Sequence, residues 1–272
     1  MKKTVKIFTI LVFIFLYIPM LVLIFGSFNA GKSLAIFKGF TLNNYREFFA
    51  DSELIGLLGN SLLISVIATV CATILGTVAA VGIFRMRGKT RRLVMSMTNI
   101  PLTNPEIVTG VSLALLFAFI GTILRIKDIL GFWTLLIAHI TFNMPYVILS
   151  VMPKLRQMDP NLTEAALDLG CTPAKAFFKV TLHEILPGVI SGALMSFTMS
   201  LDDFIISYFV SGAGFKTLPV HIYSITRKQI HPKIHALFAI MFAIILLLMI
   251  LMNVLQGREQ KKKPPVKRRD MV

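Results

Sequence analysis

The chain alternates between long apolar runs and short polar segments, and this pattern predicts a bundle of membrane-spanning helices. A helix needs roughly 20 predominantly apolar residues to cross a bilayer, and six runs reach that length with few or no charges inside them. They cover residues 7–28, 54–84, 93–124, 129–153, 185–215 and 234–257. We therefore predict an all-α polytopic membrane protein with six transmembrane helices and with both termini on one side.

Composition and charge support this interpretation. Of the 272 residues 56% are hydrophobic, and the mean hydropathy of +0.78 is too high for an ordinary soluble domain. The net charge of +15 follows the topology, because 19 of the 28 Lys and Arg residues fall on the side that carries the termini. The positive-inside rule then places both termini in the cytoplasm. We interpret the basic residues 258–272 as a lipid-facing cytoplasmic tail rather than a nucleic-acid site.

The start of the chain and its cysteines add little further chemistry. The first apolar run is about 22 residues long and has no small-residue cleavage site, so we predict an uncleaved first span and not a signal peptide. Cys71 lies in a span and Cys171 in a polar loop, so the two cannot pair. The spacing of His221, His231 and His235 does not suit a metal, and we predict no metal site.

A polar loop, about residues 159–183, separates the fourth and fifth apolar runs. Asp159 and Pro160 suit the start of a helix, Gly170 suits its end, and Thr172 with Pro173 suit the start of a second helix. The pattern predicts helix, sharp bend, helix. One face of the first helix is apolar and built largely of small residues, which suits docking into a groove on a partner: Leu162, Ala165, Ala166 and Leu169.

This loop resembles the EAA loop of permease subunits of type I binding-protein-dependent ABC importers. Its matching positions are Glu164, Ala165, Ala166, Gly170, Val180 and Leu182. The chain departs from the family at His183, where a proline is usual, and this leaves the exit angle of the second helix unspecified. An interfacial helix pair lying on the membrane surface is the alternative interpretation.

The resemblance extends over residues 54–257, while residues 1–53 add the first span and an outer loop with a short helix at 43–49. It implies the type I ABC importer permease fold in a bacterial inner membrane. It also implies a second permease subunit, two copies of an ATPase subunit and an extracytoplasmic substrate-binding protein as partners. The chain has no phosphate-binding loop, so ATP and Mg belong to the ATPase and this subunit binds no cofactor.

Acidic residues inside the spans indicate a cation path, because a charge in the membrane is costly without a partner or pathway. Glu106 is expected past the midpoint of the third span, flanked by two prolines. In the fifth span a polar stripe follows one helix face, with Asp202 about 100° away from it. The stripe residues are Ser196, Ser200, Asp203, Ser207 and Ser211. Four aromatic residues have side chains that suit contact with an ammonium ion: Tyr208, Phe204, Tyr146 and Trp133.

Two alternatives to this path remain open from the residues alone. The serine stripe also suits a small-residue helix interface whose acids bind Lys or Arg of a partner subunit. His139 and Asn143, four residues apart in the fourth span, suit either the path or a buried structural hydrogen bond. An intramembrane hydrolase using Asp202 and Asp203 is disfavoured, because adjacent helical residues point about 100° apart and cannot share one proton.

A narrower resemblance concerns the cargo. Residues 196–204, which read SFTMSLDDF, and the segments at 218–220 and 222–224 are similar to the corresponding region of spermidine/putrescine permease subunits. This similarity implies polyamine transport, with Glu106, Asp202, Asp203, Ser200, Ser207 and Tyr208 as path residues. Related permeases for thiamine, ferric iron, sulfate or molybdate share the loop and the fold, and they are the alternative.

Overall fold

A computed structural model describes residues 2–31, 36–159, 161–226 and 232–262. Pro160, His231 and the end of the basic tail, residues 263–272, lie outside the described residues. The first half contains α1 (Lys2–Ser27), α2 (Asn43–Ala50), α3 (Ser52–Arg85), α4 (Gly88–Thr103), α5 (Glu106–Leu124) and α6 (Phe132–Gln157). The second half contains α7 (Asn161–Asp168), α8 (Pro173–Ala176), a π-helical segment (Phe177–Thr181), α9 (Leu182–Leu201), α10 (Ile205–Val210), α11 (Leu218–Thr226) and α12 (Pro232–Lys262).

The predicted all-α membrane fold is confirmed. Within the described residues, five helical segments are long and apolar enough to cross a bilayer: Val5–Ser27, Ser52–Arg85, Glu106–Leu124, Phe132–Gln157 and Pro173–Leu201. The sixth apolar run of the sequence, residues 234–257, lies within α12. The helix α12 continues to Lys262, so the first residues of the predicted tail are helical.

The third predicted span is not one continuous helix. It is divided into α4 and α5 at Asn104 and Pro105, because a proline disfavours helical geometry in the residue before it, and Asn104 is extended with φ −78° and ψ 137°. As a result only α5 has the properties of a span. Glu106 is its first residue, so the expectation that Glu106 lies past the midpoint of the third span is wrong.

The fifth predicted span, residues 185–215, is also interrupted. The helix that begins at Pro173 runs through the π-helical segment and α9 to Leu201, and α10 begins at Ile205. Asp202, Asp203 and Phe204 form the interruption between them. The spans of helical transporters contain such interruptions where the irregular backbone is buried in protein or lines a cavity.

Helix α6 forms the centre of the larger of two compact units, which contains Gly59–Val220. Two apolar clusters surround α6, one towards its start at Leu135 and one towards its end at Leu155. Helix α9 packs closely against α6 because Gly188 and Gly192 lack a Cβ. A Cβ at Gly192 would lie 3.0 Å from the Cα of Val147, which is the close approach that small residues permit in membranes.

The other unit comprises Met1–Leu58 and His221–Leu248. The short helix predicted at 43–49 is confirmed as α2. Its buried Asn44 donates through Nδ2 to the backbone oxygens of Ser27 and Asn29, at 2.9 and 3.0 Å. These bonds join α2 to the end of α1, and Ser27 Oγ adds a 2.7 Å bond to the Tyr45 hydroxyl.

Within this unit Asp51 joins two helices. Its Oδ1 accepts the backbone N–H groups of Glu53 and Leu54, both at 3.1 Å, and so caps α3, while Oδ2 accepts from Lys233 Nζ at 2.7 Å. The Lys233 ammonium holds the pKa of Asp51 below its usual value of 3.8, against the opposing effect of burial. The pair therefore favours the ionised carboxylate.

This pair gives a pH-dependent stability. Because the folded-state pKa of Asp51 is lowered, the stabilisation is present above pH 3.8 and is lost as the pH falls through the lowered pKa. Asp51→Asn keeps a side-chain oxygen for the cap but loses the ion pair, so it is expected to destabilise the protein by up to about 1 kcal/mol at neutral pH. Thermal unfolding of both proteins at decreasing pH measures this, and a difference that persists undiminished well below pH 3.8 would contradict it.

Candidate functional sites

The polar loop between α6 and α9 folds as predicted. Asp159 Oδ1 accepts the backbone N–H of Asn161 at 3.0 Å and so begins α7. The helix ends at Asp168, and the turn after it contains Gly170, whose φ of +79° is the left-handed conformation that favours glycine. The N–H of Gly170 donates to the Leu167 oxygen and that of Cys171 to the Ala166 oxygen, at 2.9 and 3.1 Å, which completes a Schellman cap and turns the chain sharply.

The second helix of the loop is continuous with the fifth span. Thr172 Oγ1 accepts the Lys175 N–H at 3.4 Å, and Pro173 occupies the first turn, as predicted. His183, which stands where the related loops have a proline, lies inside the helical segment and does not end it. The loop motif residues Val180 and Leu182 are half-buried and lie on either side of the join between the π-helical segment and α9.

Most of the apolar face predicted for α7 is exposed. Only Ala166 packs against the chain itself, with 8% of its surface exposed. Glu164 and Ala165 are exposed, and Leu169 is 85% exposed. An exposed apolar face beside an acidic first turn is the arrangement that the docking prediction requires. None of the residues that the structure describes covers the rest of this face, and its role in docking stays a prediction.

The interruption of the fifth span contains a buried network of polar groups around Asp203. One carboxylate oxygen, Oδ1, accepts the Ile206 N–H at 3.2 Å. The other, Oδ2, accepts the N–H and the hydroxyl of Ser207, at 2.7 and 2.8 Å, and lies 3.3 Å from His139 Nε2. The Asp203 side chain is only 4% exposed, and its charge is satisfied within the chain by the start of α10 and by α6.

The serine stripe packs against α6. Ser200 and Ser207 contact the two ring nitrogens of His139, at 2.6 and 3.2 Å. A buried structural hydrogen bond is therefore the role in which the structure places His139. Every member of the stripe is buried: Ser196, Ser200, Asp203, Ser207 and Ser211. Three members of the stripe, Ser200, Asp203 and Ser207, contact His139.

Three other predicted path residues are exposed. Asp202 lies in the interruption next to Asp203 and faces outward, and Tyr208 on α10 is 56% exposed. The ring of Tyr208 lies 5.6 Å from that of Phe204. Glu106 is exposed at the start of α5 and is within electrostatic reach of the Tyr146 hydroxyl. These groups provide two carboxylates and several aromatic faces, which suit a cation.

The start of α5 and the interruption lie at the same end of two parallel helices. Gly110, one turn after Glu106, packs against α10, because a Cβ at Gly110 would lie 3.4 Å from Ile206 Cα. Beyond the ends of these helices, the backbone of Leu130 is in contact with Gly212. Both helices therefore run in the same direction. Glu106 and Asp202 each lie four residues, about one turn, before the contact between Gly110 and Ile206. The structure therefore brings the two exposed acids to one level of the bundle.

Comparison with known proteins identifies the family. Residues 72–262 match the model of the binding-protein-dependent transport system inner membrane component. The chain belongs to this family. It is 41% identical over 226 residues to the putrescine transport system permease protein PotI of Escherichia coli (strain K12), covering 83% of this chain and 80% of that protein. It is 38% identical to the spermidine/putrescine transport system permease protein PotC of Haemophilus influenzae, covering 86% of this chain and 88% of the relative.

Solved structures support the fold of the permease. A bacterial ABC transporter involved in the import of the acidic polysaccharide alginate superposes with a TM-score of 0.71 and covers 94% of both chains at 16% identity. The MetNI methionine ABC transporter, in an inward-facing conformation, gives a TM-score of 0.60 over 76% of this chain and 98% of the other, at 18% identity. At these identities the likeness concerns the fold alone. The predicted ABC importer permease fold is confirmed.

Membership in this family also confirms that the chain is a transport subunit of the inner membrane and not an enzyme. The structure adds a physical argument against the carboxylate-pair hydrolase. Asp203 is buried and bonded to α10 and His139, whereas Asp202 is exposed. Two carboxylates in such different surroundings do not act as a pair that shares a proton.

Sequence reasoning did not find the two helix interruptions or the contact between His139 and Asp203. The prolines at 101 and 105 were a signal for the first interruption. The pairing of His139 joins residues more than 60 positions apart, so the local sequence around Asp203 carries no signal for it.

Proposed function

We propose that this permease moves polyamines, spermidine or putrescine, into the cell as part of an ATP-driven importer. The observation that carries the proposal is the exposed Asp202 at the interruption of the fifth span, in a chain whose relatives include putrescine and spermidine/putrescine permeases. A polyamine carries two or more ammonium groups along a flexible apolar chain. Exposed carboxylates beside aromatic rings offset the hydration that such a cation loses inside the membrane.

Within this proposal the path residues have two different roles. Asp202, Glu106 and Tyr208 are exposed, and they contact the cation as it passes. Asp203, Ser200 and Ser207 are bonded within the chain, and they act by giving the interruption its shape. The path therefore follows the level at which α5 and α10 begin.

The proposed assembly follows the family. This chain pairs with a second permease subunit, and two copies of an ATPase subunit bind the exposed face of α7 and its counterpart. ATP and Mg bind only to the ATPase, and a substrate-binding protein delivers the polyamine outside. Both termini lie in the cytoplasm, as the distribution of Lys and Arg predicts. Each inward-moving positive charge gains roughly 2.3 kcal/mol per 100 mV, so ATP serves accumulation and directionality more than entry itself.

Uptake into proteoliposomes tests the cargo. The permease is reconstituted with its partner permease, ATPase and binding protein, and uptake of labelled spermidine and putrescine is compared with that of thiamine, ferric iron, sulfate and molybdate. We expect ATP-dependent uptake of a polyamine and of none of the other solutes. ATP hydrolysis that is stimulated by the loaded binding protein, without polyamine uptake, would discard the cargo and leave the transport family in place.

A further inference from the structure

We propose that His139 is a positioning residue that fixes the shape of the interruption in the fifth span and so holds Asp202 at the substrate path. The path role of Asp202 rests on the proposed function, whereas the effect of His139 on the interruption rests on geometry alone. His139 lies on α6, and in this proposal it does not touch the cargo. It acts through three groups on the interrupted helix.

One imidazole joins both sides of the interruption. Its Nδ1 lies 2.6 Å from Ser200 Oγ in the last turn of α9, and its Nε2 lies 3.2 Å from Ser207 Oγ in the first turn of α10. The same Nε2 is 3.3 Å from Asp203 Oδ2, within the interruption itself. His139 is only 2% exposed, so water is not at hand to replace these bonds when the ring is removed.

The hydrogen bonds assign complementary roles to the two ring nitrogens. Asp203 is an acceptor at both oxygens, so a proton on Nε2 points to the carboxylate, while Nδ1 pairs with the Ser200 hydroxyl, which can donate or accept. With the N–H groups of Ile206 and Ser207, this arrangement satisfies a buried charge where the backbone is no longer helical. An uninterrupted helix would use those N–H groups for its own bonds and would leave Asp203 without them.

The network is confined to the interruption and does not extend along the whole contact between α6 and α9. One turn earlier on the same face of α9, Ser196 is fully buried, and its hydroxyl has no hydrogen-bond partner among the described residues. On α6 the side chain of Asn143, one turn from His139, is equally buried and equally unpaired in the described part of the chain. At these two positions helix packing leaves buried polar groups unpaired in the described part of the chain, whereas Ser200, Asp203 and Ser207 at the break are all bonded to His139 or to each other.

Two substitutions separate the functions of the ring nitrogens. The amide of a glutamine reaches about as far as Nε2, and that of an asparagine about as far as Nδ1. His139→Gln therefore keeps a donor for Asp203 and gives up Ser200, whereas His139→Asn keeps Ser200 and deprives Asp203 of its donor from α6. Because a buried carboxylate loses more free energy with a donor than a hydroxyl loses with its partner, His139→Asn is the more damaging change.

The test combines transport kinetics with the accessibility of position 202. In the complete importer, His139→Asn is expected to lower kcat for polyamine uptake about ten-fold with KM within about two-fold, while His139→Gln retains at least about a third of kcat. Separately, Asp202→Cys is introduced with Cys71 and Cys171 replaced by serine, and the rate of labelling by a water-soluble maleimide is measured. His139→Asn is expected to change that rate by about three-fold or more, and His139→Gln by less.

Ser196→Ala is the matched control, because it removes a buried hydroxyl from the same helix face without breaking a hydrogen bond between described residues. It is expected to change neither kcat nor the labelling rate. Equal losses in His139→Asn and His139→Gln, or an unchanged labelling rate at position 202 in both, would overturn the positioning role. If His139→Asn does not assemble, Ser207→Ala takes its place, because it removes a hydroxyl that donates to Asp203 and lies against Nε2. Ser207→Ala is then expected to change the labelling rate more than Ser200→Ala does, and an unchanged rate in both would refute the positioning role.

The two proposals fail in distinguishable ways. Labelling at position 202 does not depend on the cargo, so a change of rate without any polyamine uptake keeps the role of His139 and discards the polyamine. Polyamine uptake that is normal in His139→Asn keeps the cargo and discards the positioning role.

Discussion

Replacing Asp202 by Asn is expected to lower ATP-driven polyamine uptake about ten-fold, which corresponds to about 1.4 kcal/mol of the barrier to passage. Asp202 is exposed at the interruption and makes no hydrogen bond to Asp203, so the isosteric change removes a charge without removing an internal contact of the described chain. The measurement is the initial rate of labelled spermidine uptake into proteoliposomes, with the amount of assembled complex determined by size-exclusion chromatography.

Asp128→Asn is the matched control, since Asp128 is another exposed acid, distant from the interruption in sequence, and Asn tolerates its left-handed backbone with φ of 53°. Uptake by this control should equal that of the wild type. Asp203→Asn should behave differently from both, because it places an amide where the carboxylate accepts several donors, and it should lower the stability of the permease by about 1–3 kcal/mol. Wild-type uptake in Asp202→Asn would remove Asp202 from the path.

Reversing the charge of Glu164 is expected to release the ATPase. Glu164 is exposed in the first turn of α7, next to the apolar face, so Glu164→Lys changes the docking surface without disturbing a buried contact. The yield of ATPase that co-purifies with the permease should fall about ten-fold, and uptake should fall with it.

Gly170→Ala should have a smaller effect in the same direction, because its φ of +79° is strained for alanine by about 1 kcal/mol and the bend is weakened.

Glu47→Lys on α2 provides the comparison for this charge reversal. It is the same change on the exposed face of another helix, outside the predicted docking loop. ATPase yield should be unaffected by it. Normal ATPase yield and normal uptake in Glu164→Lys would separate α7 from the docking surface and favour a helix pair that lies on the membrane.

Local signals in the sequence predicted the helix–bend–helix fold of the polar loop well. The cap at Asp159, the turn at Gly170 and the start at Thr172 each depend on one or two residues and their own backbone. The local sequence is therefore enough to predict them. The short helix α2 and the positions of the apolar helices were predicted for the same reason. Such features require no knowledge of what lies across the bundle.

The interruption of the fifth span was hidden by its own periodicity. Three residues, 202–204, take the place of about one helical turn, so the serines before and after it still lie on one buried face. The regular spacing therefore predicted a continuous helix. Whether that stripe faces a substrate path or another helix depends on the position of α6, and the sequence pattern of the fifth span carries no information about α6. The third span was misjudged differently: residues 93–124 were predicted as one span, and the helix ends before Pro105 and begins again at Glu106.

The continuity of the helix from Pro173 to Leu201 has a mechanical consequence. Its 29 residues form a rod roughly 40 Å long, with the bend after α7 at one end and Asp202 immediately beyond the other. A tilt of about 10° around the middle of such a rod would swing each tip by roughly 3–4 Å in opposite directions. Force applied by the ATPase at the loop would then reach the carboxylate through one helix, in which the π-helical segment and Pro187 are the places that can bend. The displacement of the tip would be set by where α6 supports the helix.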